Sequence, residues 1–187
     1  NNNKVKVYNS DILKFDLEKI IKNSSIIFGN LPYNISSQIL VKILRFKWPP
    51  KFEDLILMFQ KELGEKIVCK FPSKKYGRLS ILSNYRLFVR ETFLISPNCF
   101  FPKPKVKSLV IHFKPKNKNE IKIKNITNLE KITNVLFSNK RKMINKNIQK
   151  ILSRKSIEKF DDIDLRVRPE NIKPNIYYKI TQLYEEG

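Results

Sequence analysis

The stretch Ile26-Ile-Phe-Gly-Asn-Leu-Pro-Tyr-Asn-Ile-Ser-Ser37 carries the densest information in the chain. Its apolar start predicts a short buried strand, and Ser36 or Ser37 stands where the N-cap of a following helix is expected. Between them lies Asn30-Leu31-Pro32-Tyr33, in which proline stiffens the backbone. This loop leaves an amide and an aromatic ring at the mouth of a sheet. Such a pair suits a flat base whose exocyclic amine donates hydrogen bonds.

Segments with strand and helix patterns alternate on both sides of this loop. Strands are predicted at residues 4–8, 25–28, 54–59, 89–95 and 108–113, and helices near residues 17–22, 36–44, 61–70, 129–138, 144–152 and 176–184. The alternation predicts an α/β fold with a Rossmann-like, doubly wound, mostly parallel sheet, followed by a small all-α domain. We divide the chain into a first domain at 1–115, a linker at 116–124 and a helical domain at 125–187.

The charge of the chain favours a polyanionic partner. Lys and Arg together number 38 against 17 Asp and Glu, which gives a net charge of +21. Such a field attracts nucleic acid or an anionic membrane surface, although a biased composition alone also produces a lysine-rich surface. No apolar stretch approaches the roughly 20 residues that span a bilayer, so we favour nucleic acid over a membrane. The single histidine, His112, lies in an alternating run that predicts a strand, and no metal site is predicted.

The chain has only four glycines, and none of them forms a Gly-rich loop between a first strand and a helix. A nucleotide-type cofactor in an open α/β sheet normally needs such a loop so that the backbone can approach it. The chain also lacks an initiator methionine. We therefore expect that an N-terminal part, with the glycine loop and an acidic residue for the cofactor ribose, is missing here, and that this fragment alone is inactive.

The Asn-Leu-Pro-Tyr loop resembles the motif of amino-methyltransferases that use S-adenosylmethionine, and residues 28–37 resemble the form found in ribosomal RNA adenine dimethyltransferases. Further blocks in the same order strengthen the likeness: Gln60-Lys-Glu62, Tyr76-Gly-Arg-Leu-Ser80, Phe100-Phe-Pro-Lys-Pro-Lys-Val-Lys-Ser108, Asn139-Lys-Arg-Lys142 and Arg168-Pro-Glu170. The resemblance to the small-subunit rRNA adenine N6,N6-dimethyltransferase family covers nearly the whole chain. It implies a class I methyltransferase that dimethylates two adjacent adenines in the 3′-terminal hairpin of small-subunit rRNA.

The chemistry of adenine N6 assigns roles to the loop residues. Its lone pair is delocalised into the ring, so hydrogen-bond acceptors that favour a pyramidal nitrogen make it a better nucleophile. Asn30 and the Leu31 carbonyl fit these acceptors, Pro32 holds that carbonyl, and Tyr33 stacks on the base. The resemblance implies that Phe100 stacks from the opposite side, with Phe101 as an alternative.

Cofactor contacts are expected at the ends of two consecutive strands. Asp11 is placed to accept a hydrogen bond from the adenine amine of S-adenosylmethionine and the Ile12 amide to read the ring edge, and Asn30 at the end of the next strand is also expected to contact the cofactor. An Asx turn or a helix cap explains Asp11 equally well.

The predicted partner is small-subunit rRNA in an assembling 30S particle, and a cytoplasmic monomer is expected. Basic residues are expected on rRNA phosphates: Lys74, Lys75, Arg78, Lys103, Lys105, Lys140, Arg141 and Lys142. Three alternatives remain: a macrolide-resistance enzyme that methylates large-subunit rRNA, a non-catalytic rRNA-binding assembly factor, and a DNA adenine methyltransferase. The last predicts a separate base-recognition domain, and we find no segment of that kind in the sequence.

Overall fold

A mixed four-stranded sheet forms the centre of the molecule in the computed structural model, which describes residues 4–158 and 164–187. The strands are β1 (Ser25–Asn30), β2 (Phe52–Gln60), β3 (Leu87–Ile95) and β4 (Ser108–Pro115), in the spatial order β1-β2-β4-β3. The pair β1–β2 is parallel, whereas β4 is antiparallel to both β2 and β3. Three of these four strands therefore run in one direction, and the predicted α/β fold with a mostly parallel sheet is confirmed.

Helices connect the strands and make up the C-terminal part. They are α1 (Leu17–Ile20), α2 (Ser36–Leu44), α3 (Lys61–Val68), α4 (Arg78–Arg86), α5 (Ile126–Phe137), α6 (Asn145–Ile148), α7 (Arg154–Glu158) and α8 (Pro174–Glu186). Short 3₁₀ turns occur at Pro97–Cys99 and Pro169–Asn171. Within the described ranges, no helix has the length and apolarity that a membrane crossing requires.

The predicted strand at residues 4–8 is wrong. This segment forms no strand, and its apolar side chains Val5 and Val7 are 70% and 88% exposed. Its alternating pattern is that of a strand, but no described strand lies beside it to complete a hydrogen-bonded ladder. A strand pattern without a neighbouring strand does not form sheet structure.

Two predictions about helix ends also need correction. Neither Ser36 nor Ser37 is the N-cap of α2, because Ile35 occupies that position and Ser36 is the first helical residue. An N-cap hydroxyl accepts a hydrogen bond from a backbone amide of the first helical turn. The Ser36 hydroxyl instead donates to the Tyr33 carbonyl at 3.0 Å, before the helix. The helix predicted at residues 144–152 is helical only over α6, after which turns follow.

The core lies between the sheet and the helices and continues into the C-terminal part. Leu55, Leu57 and Phe59 on one face of β2 are at most 1% exposed. Helix α3 approaches β4 closely at Gly64, where an added Cβ would lie 2.8 Å from the Leu109 side chain. Side chains of α5 and α8 belong to the same continuous cluster of buried residues. The helical part is therefore packed on the sheet domain.

The opposite face of the sheet exposes several large apolar side chains. On β1, Ile26 and Phe28 are 65% and 75% exposed, and Phe93 on β3 is 52% exposed. Strand register places Phe28 beside Ile56, and it connects Met58, two positions along β2, through Val110 to Phe93. Because side chains two positions apart on a strand share a face, Ile26, Phe28 and Phe93 lie on the same side of the sheet. This face also holds His112, which lies in a strand as predicted. Its Nε2 lies 2.5 Å from Asp54 Oδ1, and this contact together with Lys114 keeps the pKa of the Asp54 carboxyl below its usual value.

Arg86, the last residue of α4, closes the C-terminal end of α2. Its side chain is buried and donates to the carbonyls of Leu44 and Phe46 at 2.5 and 2.6 Å. The guanidinium also lies 4.7 Å from the centre of the Trp48 ring. Helix C-termini leave carbonyls without partners in the helix, and Arg86 satisfies two groups at this end. Burial lowers the pKa of the guanidinium.

We expect Arg86→Leu to lower the free energy of unfolding by about 3 kcal/mol, because two buried carbonyls lose their donor. The measurement is urea denaturation followed by circular dichroism. Arg90→Leu is the control, since Arg90 is exposed on β3 and its replacement should change stability by less than about 0.5 kcal/mol. Equal effects of the two substitutions would contradict the role of Arg86.

Candidate active site

The Asn-Leu-Pro-Tyr loop lies at the carboxyl edge of the sheet. Asn30 ends β1 and is paired in register with Met58 near the end of β2. Ser108 begins β4 opposite Gln60, because β4 runs in the other direction. The ends of two parallel strands and the start of an antiparallel strand therefore meet at one edge, where open α/β sheets bind ligands.

Local contacts hold the loop in a tight shape. The Ser36 hydroxyl binds the Tyr33 carbonyl, and the Ile35 amide donates to the Pro32 carbonyl at 3.2 Å. Just before the loop, a Cβ on Gly29 would lie 2.8 Å from both the Leu31 and Leu57 side chains. Glycine at this position lets Leu31 fold back onto the core. The backbone of the loop is thus fixed on both sides of Pro32.

A hydrogen bond joins this loop to the distant Phe-Phe-Pro-Lys-Pro loop. The Tyr33 hydroxyl lies 2.6 Å from the hydroxyl of Ser108, which is fully buried and directly follows that loop. The Lys61 amide donates to the Lys107 carbonyl at 2.9 Å and ties down the same end. The Tyr33 ring is therefore oriented by a residue 75 positions away in the sequence.

The structure brings the five predicted catalytic residues together. A cavity of about 290 Å³ is lined by Asn30, Leu31, Pro32, Tyr33, Met58, Phe100, Phe101, Pro102 and Pro104. Phe100 is half-buried, whereas the neighbouring Phe101 side chain is fully exposed. Phe100 therefore has the more fixed surroundings, although both rings reach the cavity. The roles assigned to these residues remain predictions.

Asp11 and Ile12 lie outside the lining of this cavity, in a compact turn. The Leu13 amide donates to Asp11 Oδ1 at 2.9 Å, and the Lys14 and Phe15 amides donate to the Asp11 carbonyl at 3.0 and 2.8 Å. The Asx turn considered as an alternative role of Asp11 is therefore present. Among the described residues, no partner meets Asp11 Oδ2 or the Ile12 amide, so an acceptor and a donor remain for a ligand.

The eight predicted RNA-binding residues are all exposed and fall in three segments of the chain. The first segment holds Lys74 and Lys75, just before α4, and Arg78, the first residue of α4. The second holds Lys103 and Lys105, which follow Phe100 and Phe101. The third is residues 140–142, which follow α5. Lys75 already pairs with Glu65 at 2.5 Å, and Lys140 lies 5.9 Å from the Phe137 ring centre. Their contacts with RNA stay a prediction.

A second, larger space lies away from the Asn-Leu-Pro-Tyr loop. This groove of about 710 Å³ runs between α2, α4 and α5 and includes Leu13, Lys42, Arg45, Arg78 and Glu130. Arg45 makes two hydrogen bonds with Glu130 at 2.8 and 2.6 Å. We place the candidate base site in the smaller cavity, because only that cavity contains the Asn30 amide and the aromatic pair. Residues 4–158 and 164–187 contain no cluster of acidic, histidine or cysteine side chains suited to a metal ion.

Sequence reasoning missed several residues of the site. Met58 reaches the cavity through its register with Asn30, and Ser108 reaches Tyr33 through the β2–β4 pairing. Ser108 ends the sequence block that begins at Phe100, but nothing in that block points to residue 33. Strand order was the missing information in both cases.

A family model and two similar known sequences point to the same family. The family model for ribosomal RNA adenine dimethylase matches residues 1–186. The ribosomal RNA small subunit methyltransferase A of Pelagibacter ubique is 43% identical over 185 residues, which is 97% of this chain and 70% of that protein. The protein of the same name from Malacoplasma penetrans is 38% identical over 183 residues, which is 94% of this chain and 64% of that protein. The chain thus spans about two thirds of the length of these relatives.

Solved structures share the fold. A dimethyladenosine transferase from Plasmodium falciparum superposes with a TM-score of 0.80 at 21% identity, covering 98% of this chain and 74% of the other. The 23S rRNA methyltransferase ErmE gives a TM-score of 0.61 at 18% identity, covering 96% of this chain and 72% of the other.

The Tyr33–Ser108 hydrogen bond leads to a prediction for a double-mutant cycle. We expect Tyr33→Phe and Ser108→Ala each to lower the free energy of unfolding by about 1 kcal/mol, because each removes the same bond. Once one partner is gone, the second substitution should have little further effect. Urea denaturation of the four proteins measures the coupling. Additive losses within about 0.5 kcal/mol would show that the two hydroxyls do not interact in solution.

Proposed function

The chain belongs to the ribosomal RNA adenine dimethylase family, and on that premise we propose that it dimethylates N6 of two adjacent adenines in the 3′-terminal hairpin of small-subunit rRNA. The observation that carries the proposal is the single cavity that joins Asn30-Leu31-Pro32-Tyr33 to Phe100 at the carboxyl edge of the sheet. The relatives' names point to the small subunit, whereas the large-subunit enzyme is similar to the chain in fold alone.

Asn30 and Leu31 activate the target amine. The side-chain oxygen of Asn30 and the backbone carbonyl of Leu31 accept the two N–H groups of adenine N6. The acceptors draw the nitrogen out of conjugation with the ring and direct its lone pair toward the methyl donor. Pro32 restricts the backbone next to this carbonyl, so the acceptors are positioned before the base arrives.

Tyr33 and Phe100 hold the base. An adenine must leave its stack to enter the cavity, and an aromatic ring on each face compensates for the lost stacking. The bond to Ser108 fixes the Tyr33 ring, and the half-buried position of Phe100 limits its motion. This clamp selects a flat base and keeps its amine beside Asn30.

S-adenosylmethionine supplies an electrophilic methyl group on a sulfonium centre whose leaving group is neutral. The residues of the chain fit this cofactor, because Asp11 Oδ2 and the Ile12 amide offer an acceptor and a donor for the edge of its adenine. Asn30 belongs to both sites and lies between base and cofactor in this assignment. No strong general base is needed at the target amine, since its proton can pass to water after transfer. The work of these residues is alignment and electrostatic stabilisation.

A preceding segment of the same polypeptide completes the methyltransferase domain in this proposal. The open face at Ile26 and Phe28 supports it, because two large apolar side chains at 65% and 75% exposure are typical of a surface that other structure covers. The outer edge of β1 also has no partner strand within the described ranges. That segment would carry the glycine loop, while residues 1–115 form the rest of the domain, 116–124 the linker and 125–187 a helical RNA-binding domain.

The net charge of +21 supports a ribosomal RNA substrate. The exposed lysines and arginines of these three segments, at residues 74–78, 103–105 and 140–142, contact phosphates and position the RNA, while the base-binding cavity selects the reacting adenine. The protein acts as a cytoplasmic monomer on an assembling small subunit.

The decisive experiment is a methylation assay with defined substrates. The polypeptide with its upstream residues restored is incubated with unmethylated small subunits and labelled S-adenosylmethionine, and the nucleosides are identified by mass spectrometry. Dimethyladenosine in small-subunit rRNA is the expected product. Label in large-subunit rRNA alone would indicate the resistance-type enzyme, and binding without any label would indicate a non-catalytic assembly factor. The 187-residue chain, assayed in parallel, should bind the cofactor weakly and transfer nothing.

We expect Asn30→Ala to lower kcat/KM for methyl transfer at least about 100-fold, because an acceptor aimed at the reacting amine is lost. The affinity for unmethylated subunits should stay unchanged, since phosphate contacts dominate it. Asn34→Ala is the matched control, because Asn34 is an exposed amide four residues along the same loop. Equal loss of transfer and binding would show that Asn30 has a structural role.

Phe100→Ala and Phe101→Ala form a second matched pair. Stacking on a base is worth about 1–3 kcal/mol, so Phe100→Ala should lower kcat/KM by a factor of about 5 to 150. Phe101→Ala should have a smaller effect, because the Phe101 ring is fully exposed. Single-turnover assays on small subunits measure both, and the reverse order would assign the stacking ring to Phe101.

A further inference from the structure

Lys42 makes an unusual set of contacts with the turn that contains Asp11 and Ile12. Its Nζ donates to the backbone carbonyls of Ile12, Leu13 and Phe15 at 3.0, 2.8 and 2.5 Å. An ammonium group has three N–H donors, and all three are used on a single stretch of four residues. The side chain is half-buried, so these bonds form partly out of contact with water.

The turn needs a cation at its centre. The Leu13 amide donates to the Asp11 carboxylate, and the Lys14 and Phe15 amides donate to the Asp11 backbone carbonyl. This arrangement directs the carbonyls of Ile12, Leu13 and Phe15 toward a single point, where their partial negative charges repel one another. The Lys42 ammonium converts this repulsion into attraction and keeps the turn closed. The contact between the Tyr8 and Phe15 rings, with centres 5.2 Å apart, closes the loop on its other side.

Lys42 connects the turn of Asp11 and Ile12 with the helix that follows the Asn-Leu-Pro-Tyr loop. It lies on α2, the helix that follows directly from the Asn-Leu-Pro-Tyr loop, and neighbouring residues Ile39, Leu40 and Ile43 anchor that helix in the core. A rigid helix therefore carries a clamp for the turn of Asp11 and Ile12 and starts at the loop of Asn30. One side chain thus links the turn of Asp11 and Ile12 to the helix that follows the loop of Asn30.

We propose that Lys42 is a positioning residue for S-adenosylmethionine, which acts by holding Asp11 Oδ2 and the Ile12 amide in place for the adenine of the cofactor. This inference rests on the proposed function, because it takes the turn as the cofactor contact. Lys42 itself touches neither the cofactor nor the reacting atoms.

The test compares Lys42→Met with Lys47→Met in the polypeptide with its upstream residues restored. Methionine keeps much of the aliphatic stem of Lys42 and removes the three donors. Lys47 is exposed three residues beyond the end of α2 and controls for the loss of one positive charge. Hydrogen exchange reports the closure of the turn, and steady-state kinetics with varied S-adenosylmethionine report its contact with the cofactor.

We expect Lys42→Met to speed the exchange of the Leu13, Lys14 and Phe15 amides and to raise KM for S-adenosylmethionine about tenfold, with kcat unchanged. Affinity for the small subunit should also stay the same, and Lys47→Met should change none of these quantities. A merely structural role would lower the unfolding midpoint without separating KM from kcat.

Three results would overturn the proposal. Unchanged exchange in Lys42→Met would show that the ammonium does not hold the turn. Faster exchange with an unchanged KM would show that the turn does not contact the cofactor, while the methyltransferase itself remains active. An unsubstituted protein that transfers no methyl group would overturn the proposed function, and this inference with it.

Discussion

The register of β2 with its two neighbours is the constraint on which the site depends. On one side β2 is parallel to β1, so the ends of both strands meet at one edge and Asn30 faces Met58. On the other side β2 is antiparallel to β4, so Ser108 begins at that same edge opposite Gln60. Backbone hydrogen bonds set both registers, and a shift of one residue would turn every side chain to the other face. The hydroxyl pair of Tyr33 and Ser108 exists because both registers hold.

Several buried or half-buried cations of this chain donate hydrogen bonds to backbone carbonyls and not to carboxylates. Lys and Arg outnumber Asp and Glu by more than two to one, so many cations have no acidic partner to bind. Arg86 donates to two carbonyls at the end of α2, Lys116 donates to the Asn84 carbonyl near the end of α4, and Lys42 donates to three carbonyls of one turn. Each of these cations binds carbonyls at a helix end or in a turn, where no hydrogen bond of a helix or sheet satisfies them. A basic composition that suits RNA thereby also determines how the connections between elements are held.

The chemistry proposed for the site uses preorganised acceptors and aromatic surfaces and needs no strong general base. Asn30 and the Leu31 carbonyl are neutral, and Tyr33 is oriented through a hydroxyl pair. Methyl transfer from a sulfonium releases a neutral leaving group, so positioning accounts for most of the catalytic effect. This matches a structure whose best-defined contacts are those that fix the backbone of the Asn-Leu-Pro-Tyr loop and of the Asp11 turn.

The sequence by itself determined the four strands of the sheet, the loop at residues 30–33 and the family, whereas α4 and α7 were not predicted. These features are encoded locally, in hydrophobic period, in proline placement and in short motifs, so reading them needed no knowledge of long-range pairing. Only the tertiary structure decided that residues 4–8 form no strand, that Ser36 binds back to Tyr33, that Ser108 holds the Tyr33 ring and that Lys42 closes the turn at Asp11. The physical reason is the same in each case. A strand forms only beside another strand, and the partner of a hydroxyl depends on which groups lie within hydrogen-bond distance in the folded chain. In the same way, an ammonium binds the carbonyls that folding brings within about 3 Å.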